Sequence, residues 1–81
     1  MVEVVWMENV KKPSHIITIV NGDGEDVVAV LGDANPPRSD AGWTWSEYQR
    51  ILRKWLTEKA VEIGDVHDEE ENLTFIVYKT R

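Results

Sequence analysis

Cysteine is absent from the 81 residues. That excludes disulfides, thiolate nucleophiles and any zinc site built on sulfur, and it fits a reducing compartment or a chain indifferent to redox state. Basic charge is scarce as well: nine Lys and Arg stand against fifteen Asp and Glu, for a net charge of -6. Such a surface repels nucleic-acid backbones and anionic membranes, so no direct nucleic-acid or membrane partner is expected and a basic or uncharged protein surface is favoured. Long apolar runs are missing too. The longest, Val27-Val28-Ala29-Val30-Leu31, falls far short of the ~20 residues that span a bilayer. Glu3 stands where a signal peptide carries Lys or Arg, and the expectation is a cytoplasmic protein. A chain of this length makes one small domain, residues 1–81, that must build a compact core without staples.

What is present is a regular succession of patterns. Residues 2–7 are rich in Val and Trp and read as a strand, because β-branched and aromatic side chains suit a pleated surface. Lys11-Lys12-Pro13-Ser14 breaks that pattern, and a second strand follows over residues 15–20. Asn21-Gly22-Asp23-Gly24 lies between two apolar runs and tolerates positive φ, so it closes a hairpin onto a third strand over 25–31. Residues 32–42, with Pro36-Pro37, show neither helical nor strand periodicity and read as a loop.

The helix is marked most clearly. Thr44 is the expected N-cap, Glu47 completes a capping box, and Trp43 and Tyr48 occupy the hydrophobic-staple positions. Trp45, Tyr48, Ile51, Leu52, Trp55, Leu56, Ala60 and Ile63 repeat at the spacing of one buried stripe, with Gly64 as the stop. Residues 65–72 read as an acidic loop and residues 73–79 as a last strand. The fold class expected is α+β, β-β-β-α-β: a four-stranded mixed or antiparallel sheet with one amphipathic helix on one face. A right-handed crossover would place the last strand beside residues 2–7.

One helix covers one face of a sheet, and the other face should then alternate to polar residues. These strands do not alternate well. Within each strand, Val5 and Met7 oppose Val4 and Trp6, Val28 and Val30 oppose Val27 and Ala29, and Ile76 and Tyr78 oppose Phe75 and Val77. Whichever parity meets the helix, an apolar set remains, and exposed apolar patches of that size mark interfaces. Taking Val5, Met7, Val28, Val30, Ile76 and Tyr78 as the uncovered set, the expectation is a homodimer packed sheet against sheet. The plainer reading is a mildly apolar face in water, interrupted by Glu3, Thr18 and Thr74.

Other constellations are weaker. His67 among Asp65, Asp68 and Glu69 resembles a metal-binding grouping, but a solvated acidic loop explains the same letters. His15 has no sequence-near group to activate. Residues 21–32 offer only a partial calcium-loop pattern, with Gly32 where the bidentate Glu belongs. No metal, cofactor or catalytic residue is expected, and no G-x-S-x-G, Walker or dinucleotide motif occurs.

Two groups could bind a ligand or partner. Arg38, Trp43, Trp45 and Arg50 gather near the helix N-terminus, whose free N–H groups and dipole favour anions. Ordinary packing of both indoles is the competing account. Asp65, Asp68, Glu69, Glu70 and Glu71 form an acidic group suited to a basic groove, a version of nucleic-acid mimicry. Arg50, Arg53, Lys54 and Thr57 line the helix's outward face, as in most soluble amphipathic helices. The functional expectation is a small acidic, non-enzymatic protein-interaction module, an inhibitor or adaptor, homodimeric through its sheet face and engaging an unidentified protein. The alternative is a small-molecule or nucleotide-binding protein centred on Arg38, Trp43 and Trp45.

Overall fold

A computed structural model describes residues 14–39 and 42–81. The strand expected over residues 2–7, including Val5 and Met7, lies outside them. Within them the order is β1 (His15–Asn21), β2 (Gly24–Leu31), α1 (Trp45–Lys59), β3 (Ala60–Asp68) and β4 (Leu73–Thr80). The strands form one antiparallel sheet in the order β2-β1-β4-β3. The architecture is α+β, with the helix on one face of a four-stranded sheet.

Local chemistry explains the first hairpin. Asn21 Oδ1 accepts a 2.7 Å hydrogen bond from the Asp23 N–H, an Asx turn that mimics a backbone turn. Gly24 then takes φ +135, and a Cβ there would lie 2.7 Å from the Gln49 side chain. Only glycine allows both the dihedral and the close approach.

The helix begins at the expected cap, but Glu47 Oε1 accepts from the Thr44 hydroxyl at 3.0 Å rather than from the Thr44 N–H. Thr44 is extended, and its hydroxyl accepts from the Glu47 N–H. Trp43 stacks on Tyr48 with centroids 6.3 Å apart, which is the expected staple. Tyr48, Leu52 and Leu56 are its buried residues, one per turn on a single side. They meet Ile16, Val27, Tyr78 and Ala60 to form the core, with Val30, Ala34, Trp55 and Ile76 packed around it. Full burial of each large apolar side chain contributes roughly 1.5–3 kcal/mol.

The helix ends earlier than its apolar spacing predicts. Ala60 is already extended, with its N–H on the Leu56 carbonyl, and residues 60–68 form a strand rather than the last helical turn and an acidic loop. Val61 and Ile63 explain the change. Both are β-branched and alternate with Glu62; Val61 gains a ladder partner in Lys79 of β4, while Ile63 is the extra residue of a bulge in the same strand. Gly64 is therefore a strand residue beside a bulge at Ile63, not a helix stop. Only residues 69–72 remain as a turn, closed by Asn72 at φ 55, a conformation Asn adopts more readily than most residues.

This hairpin also corrects the expected strand order. β4 lies between β3 and β1, so its neighbour is His15–Asn21 and not residues 2–7. Ser14 ties the sheet together at that end: its Oγ accepts from the N–H groups of Asp33 and Ala34 at 2.8 and 3.1 Å. Its N–H donates to Thr80 Oγ1 at 3.0 Å, and its carbonyl accepts from the Thr80 N–H at 2.9 Å.

Candidate functional site

The pairing register assigns each strand residue to a face. Ile16 is opposite Val30 and Tyr78, Thr18 is opposite Val27 and Ile76, and Val20 is opposite Glu25 and Thr74. Since paired residues share a face and Ile16, Val27 and Tyr78 are core residues, this is the helix side. Ile76 and Tyr78, expected on the uncovered face, therefore lie under the helix, and Tyr78 is only 3% exposed. Val30 also packs against the core. Within that expected set Val28 is exposed, because it is the extra residue of a bulge: Ile17 pairs with Ala29 and Thr18 with Val27. The bulge reverses the alternation along β2, so Val27 before it and Val30 after it both face inward.

The face away from the helix is nevertheless apolar, made by the opposite parity, with Ile17, Ile19, Phe75 and Val77 half-buried at its centre. Ile17 lies between Ala29 and Val77, and Ile19 lies beside Phe75, which in turn is opposite Val66. Leu31, Val61 and Leu73 extend the patch toward the strand ends. Leu31 and Val66 are 59% and 66% exposed. Among the described residues there is one helix and one sheet, and the helix occupies the other side.

Charge on this outer face is confined to its ends. His15 and Lys79 form a pair at one end, with Val61 opposite Lys79, while Asp68 opposite Leu73 marks the other. Asp26 belongs to the row of Ile19, but its carboxylate is turned to the sheet edge. There it accepts from Tyr48 Oη and from the Val27 N–H, both at 2.9 Å.

On the helix side is a buried polar cluster that no sequence motif announced. Glu25 is 5% exposed. Its Oε2 accepts from Thr18 Oγ1 at 2.6 Å and from Tyr78 Oη at 2.5 Å, and its Oε1 pairs with Arg53. The Gln49 amide exchanges two hydrogen bonds with the Glu25 backbone, at 2.9 and 2.7 Å. A buried carboxylate requires this many donors, because an unpaired one would cost several kcal/mol. Burial, followed by the bond to Glu25, pushes the Tyr78 hydroxyl up to about 12. With every polar atom satisfied, the cluster fastens α1 to β2 and β4. The one sequence signal for it is an acid two residues before Val27, in the parity of the core.

The expected ligand group is only partly assembled. Trp45 and Trp43 flank Tyr48 from two sides, at 5.5 and 6.3 Å between centroids. Arg38 lies near enough to act on the Tyr48 hydroxyl, which burial and then the bond to Asp26 push up to about 12. Arg50 does not join them. Two residues beyond Tyr48 it points to the opposite side of the helix, on an exposed surface shared with Gln49, Arg53 and Lys54. Trp45, expected in the buried stripe, is 41% exposed and donates its indole N–H to the Asp23 carbonyl. Tyr48 Oη is also bonded to the Pro37 carbonyl at 3.2 Å, so ordinary packing uses most of the polar atoms here.

The acidic group divides likewise. Asp65 is opposite Ile76 and so faces the helix side, whereas Asp68 is on the outer face. Asp68 Oδ1 accepts from the Glu70 N–H at 3.0 Å, which orders the turn carrying Glu69, Glu70 and Glu71. His67 Nδ1 lies 2.9 Å from Thr74 Oγ1. Among the described residues no three His, Asp or Glu side chains converge on one point, and no helix is long and apolar enough to cross a membrane. The chain matches no family model, no curated protein and no solved structure.

Proposed function

We propose that this protein is a small non-enzymatic interaction module that self-associates through the outer face of its sheet and engages a protein partner as an inhibitor or adaptor. The observation that carries the reading is the central block of Ile17, Ile19, Phe75 and Val77, paired side by side across β1 and β4 on the face away from the helix. Four strands about 4.8 Å apart and some eight residues long present roughly 500 Å² in projection. Two such faces in contact bury on the order of 1,000 Å², the lower bound of specific interfaces. The acidic turn, Asp68 with Glu69, Glu70 and Glu71, lies at the rim of this face and offers a basic protein surface its complement.

The test is the mass of the full chain in solution from micromolar to millimolar concentration. Twice 9.3 kDa is expected at the upper end. Phe75→Glu should return the chain to a single copy while its circular dichroism stays that of the parent. A chain that remains at 9.3 kDa throughout removes the reading.

The stacked Trp43 and Tyr48 beside Arg38 favour a second reading, a small anionic or aromatic ligand at the helix N-terminus. Binding of nucleotides would change the indole emission and raise the melting temperature. A nucleotide panel that moves neither leaves this second reading without support.

A further inference from the structure

We infer that the second copy stacks with its strands antiparallel to the first, so that the end carrying His15 and Lys79 lies over the partner's acidic turn. This rests on the self-association proposed above and adds its geometry. The outer face is electrically polar along the strands: Lys79 lies beside Val61 at one end, and Asp68 lies beside Leu73 at the other, adjoining Glu69, Glu70 and Glu71. A two-fold axis between the sheets and perpendicular to the strands keeps β4 over β4 and exchanges the ends. Each Lys79 then meets the other copy's turn, and the contact occurs twice.

The competing arrangement, with like ends together, sets Lys79 against Lys79 and one acidic turn against the other across the sheet-to-sheet distance of about 10 Å. That separation is close to the Debye length at physiological salt, about 8 Å, so the repulsion between the turns is only partly screened. In the antiparallel arrangement the turns are a strand length apart, roughly 25 Å, and screening removes most of their repulsion. For a chain with a net charge of -6, this difference decides the orientation. The apolar centre is indifferent to it, because Ile17, Ile19, Phe75 and Val77 are central in both. One lysine against the turn's carboxylates leaves the turn acidic, so a basic partner can still engage it.

The absence of native cysteine makes the test direct. Lys79→Cys in the full chain, carrying a nitroxide, reports the separation between the two copies. Roughly 20 Å or more between attachment points is expected, and roughly 10 Å overturns the orientation. Independently, Lys79→Glu should raise the dimer dissociation constant roughly tenfold at low salt. Lys54→Glu, the same change in net charge on the exposed helix surface, should leave it unchanged. Equal effects of the two substitutions overturn the orientation while leaving self-association intact. A chain that is a single copy at millimolar concentration overturns both.

Discussion

Tyr78 Oη donates a 2.5 Å hydrogen bond to Glu25 Oε2, joining residues 53 positions apart. The two strands are not neighbours, since β1 runs between β2 and β4, so the bond crosses the sheet beneath the helix. Thr18 of that intervening strand donates to the same oxygen, and Arg53 of the helix closes the group from above. Glu25→Gln keeps the volume but removes the charge that these donors share. It should lower stability by about 1–3 kcal/mol, read from urea unfolding. The loss stays below that of a fully enclosed ion pair because the Arg53 side chain is 58% exposed and can be hydrated again.

Alkaline solution tests the two tyrosines of the chain. Both hydroxyls are raised from 10.0 to about 12 in the folded state. A group whose pKa is raised by folding contributes stability that is complete below its unfolded value and is lost as pH rises toward its folded value. Stability should therefore hold up to about pH 10 and fall between 10 and 12, by on the order of 2 kcal/mol for each tyrosine. Tyrosinate absorbance should rise with unfolding rather than ahead of it. Tyr78→Phe should flatten this dependence and cost stability at neutral pH.

Thr44→Ala removes the acceptor of the Glu47 N–H. The expected loss is about 1 kcal/mol in thermal or chemical unfolding. Thr44→Ser should preserve stability, since its hydroxyl can accept the same bond and still donate to Glu47 Oε1, as Thr44 does at 3.0 Å.

Gly24→Ala combines two costs. Its φ of +135 is one that side chains avoid, and its Cβ would meet the Gln49 amide carbon at 2.7 Å. Displacing Gln49 would break the paired bonds to the Glu25 backbone. A loss of about 1–3 kcal/mol is expected, while Gly22→Ala, where nothing lies within 4 Å, should cost less.

Local chemistry made some of this legible beforehand. The Asn21 turn, the Thr44 cap and the staple of Trp43 on Tyr48 involve residues within a few positions of one another, and each appears as its residue types require. The end of the helix did not, because Ala60 and Ile63 satisfy the helical spacing and Val61 and Ile63 satisfy the strand spacing equally well. Pairing with β4 decides between them, and that partner is distant in sequence. The outer face was legible as a surplus of apolar residues, but its members were not. An unforeseen bulge at Val28 and the register against Ile16 send Val30, Ile76 and Tyr78 inward and leave Ile17, Ile19, Phe75 and Val77 outside. The Glu25 cluster was hidden for a different reason: a charged residue in a strand reads as solvent-facing until its donors, from β1, β4 and α1, are in place.

The two bulges, at Val28 on β2 and at Ile63 on β3, occupy the two outermost strands among the described residues. Each interrupts the even row of amide and carbonyl groups that an incoming strand would need, and Glu62 and Asp65 add like charges along the β3 margin. Lateral addition of further chains, the route to ribbons and fibrils, is thereby opposed at both margins. Among the described residues the sheet has one face away from the helix, so the self-association proposed above would close as a pair instead of running on into a filament.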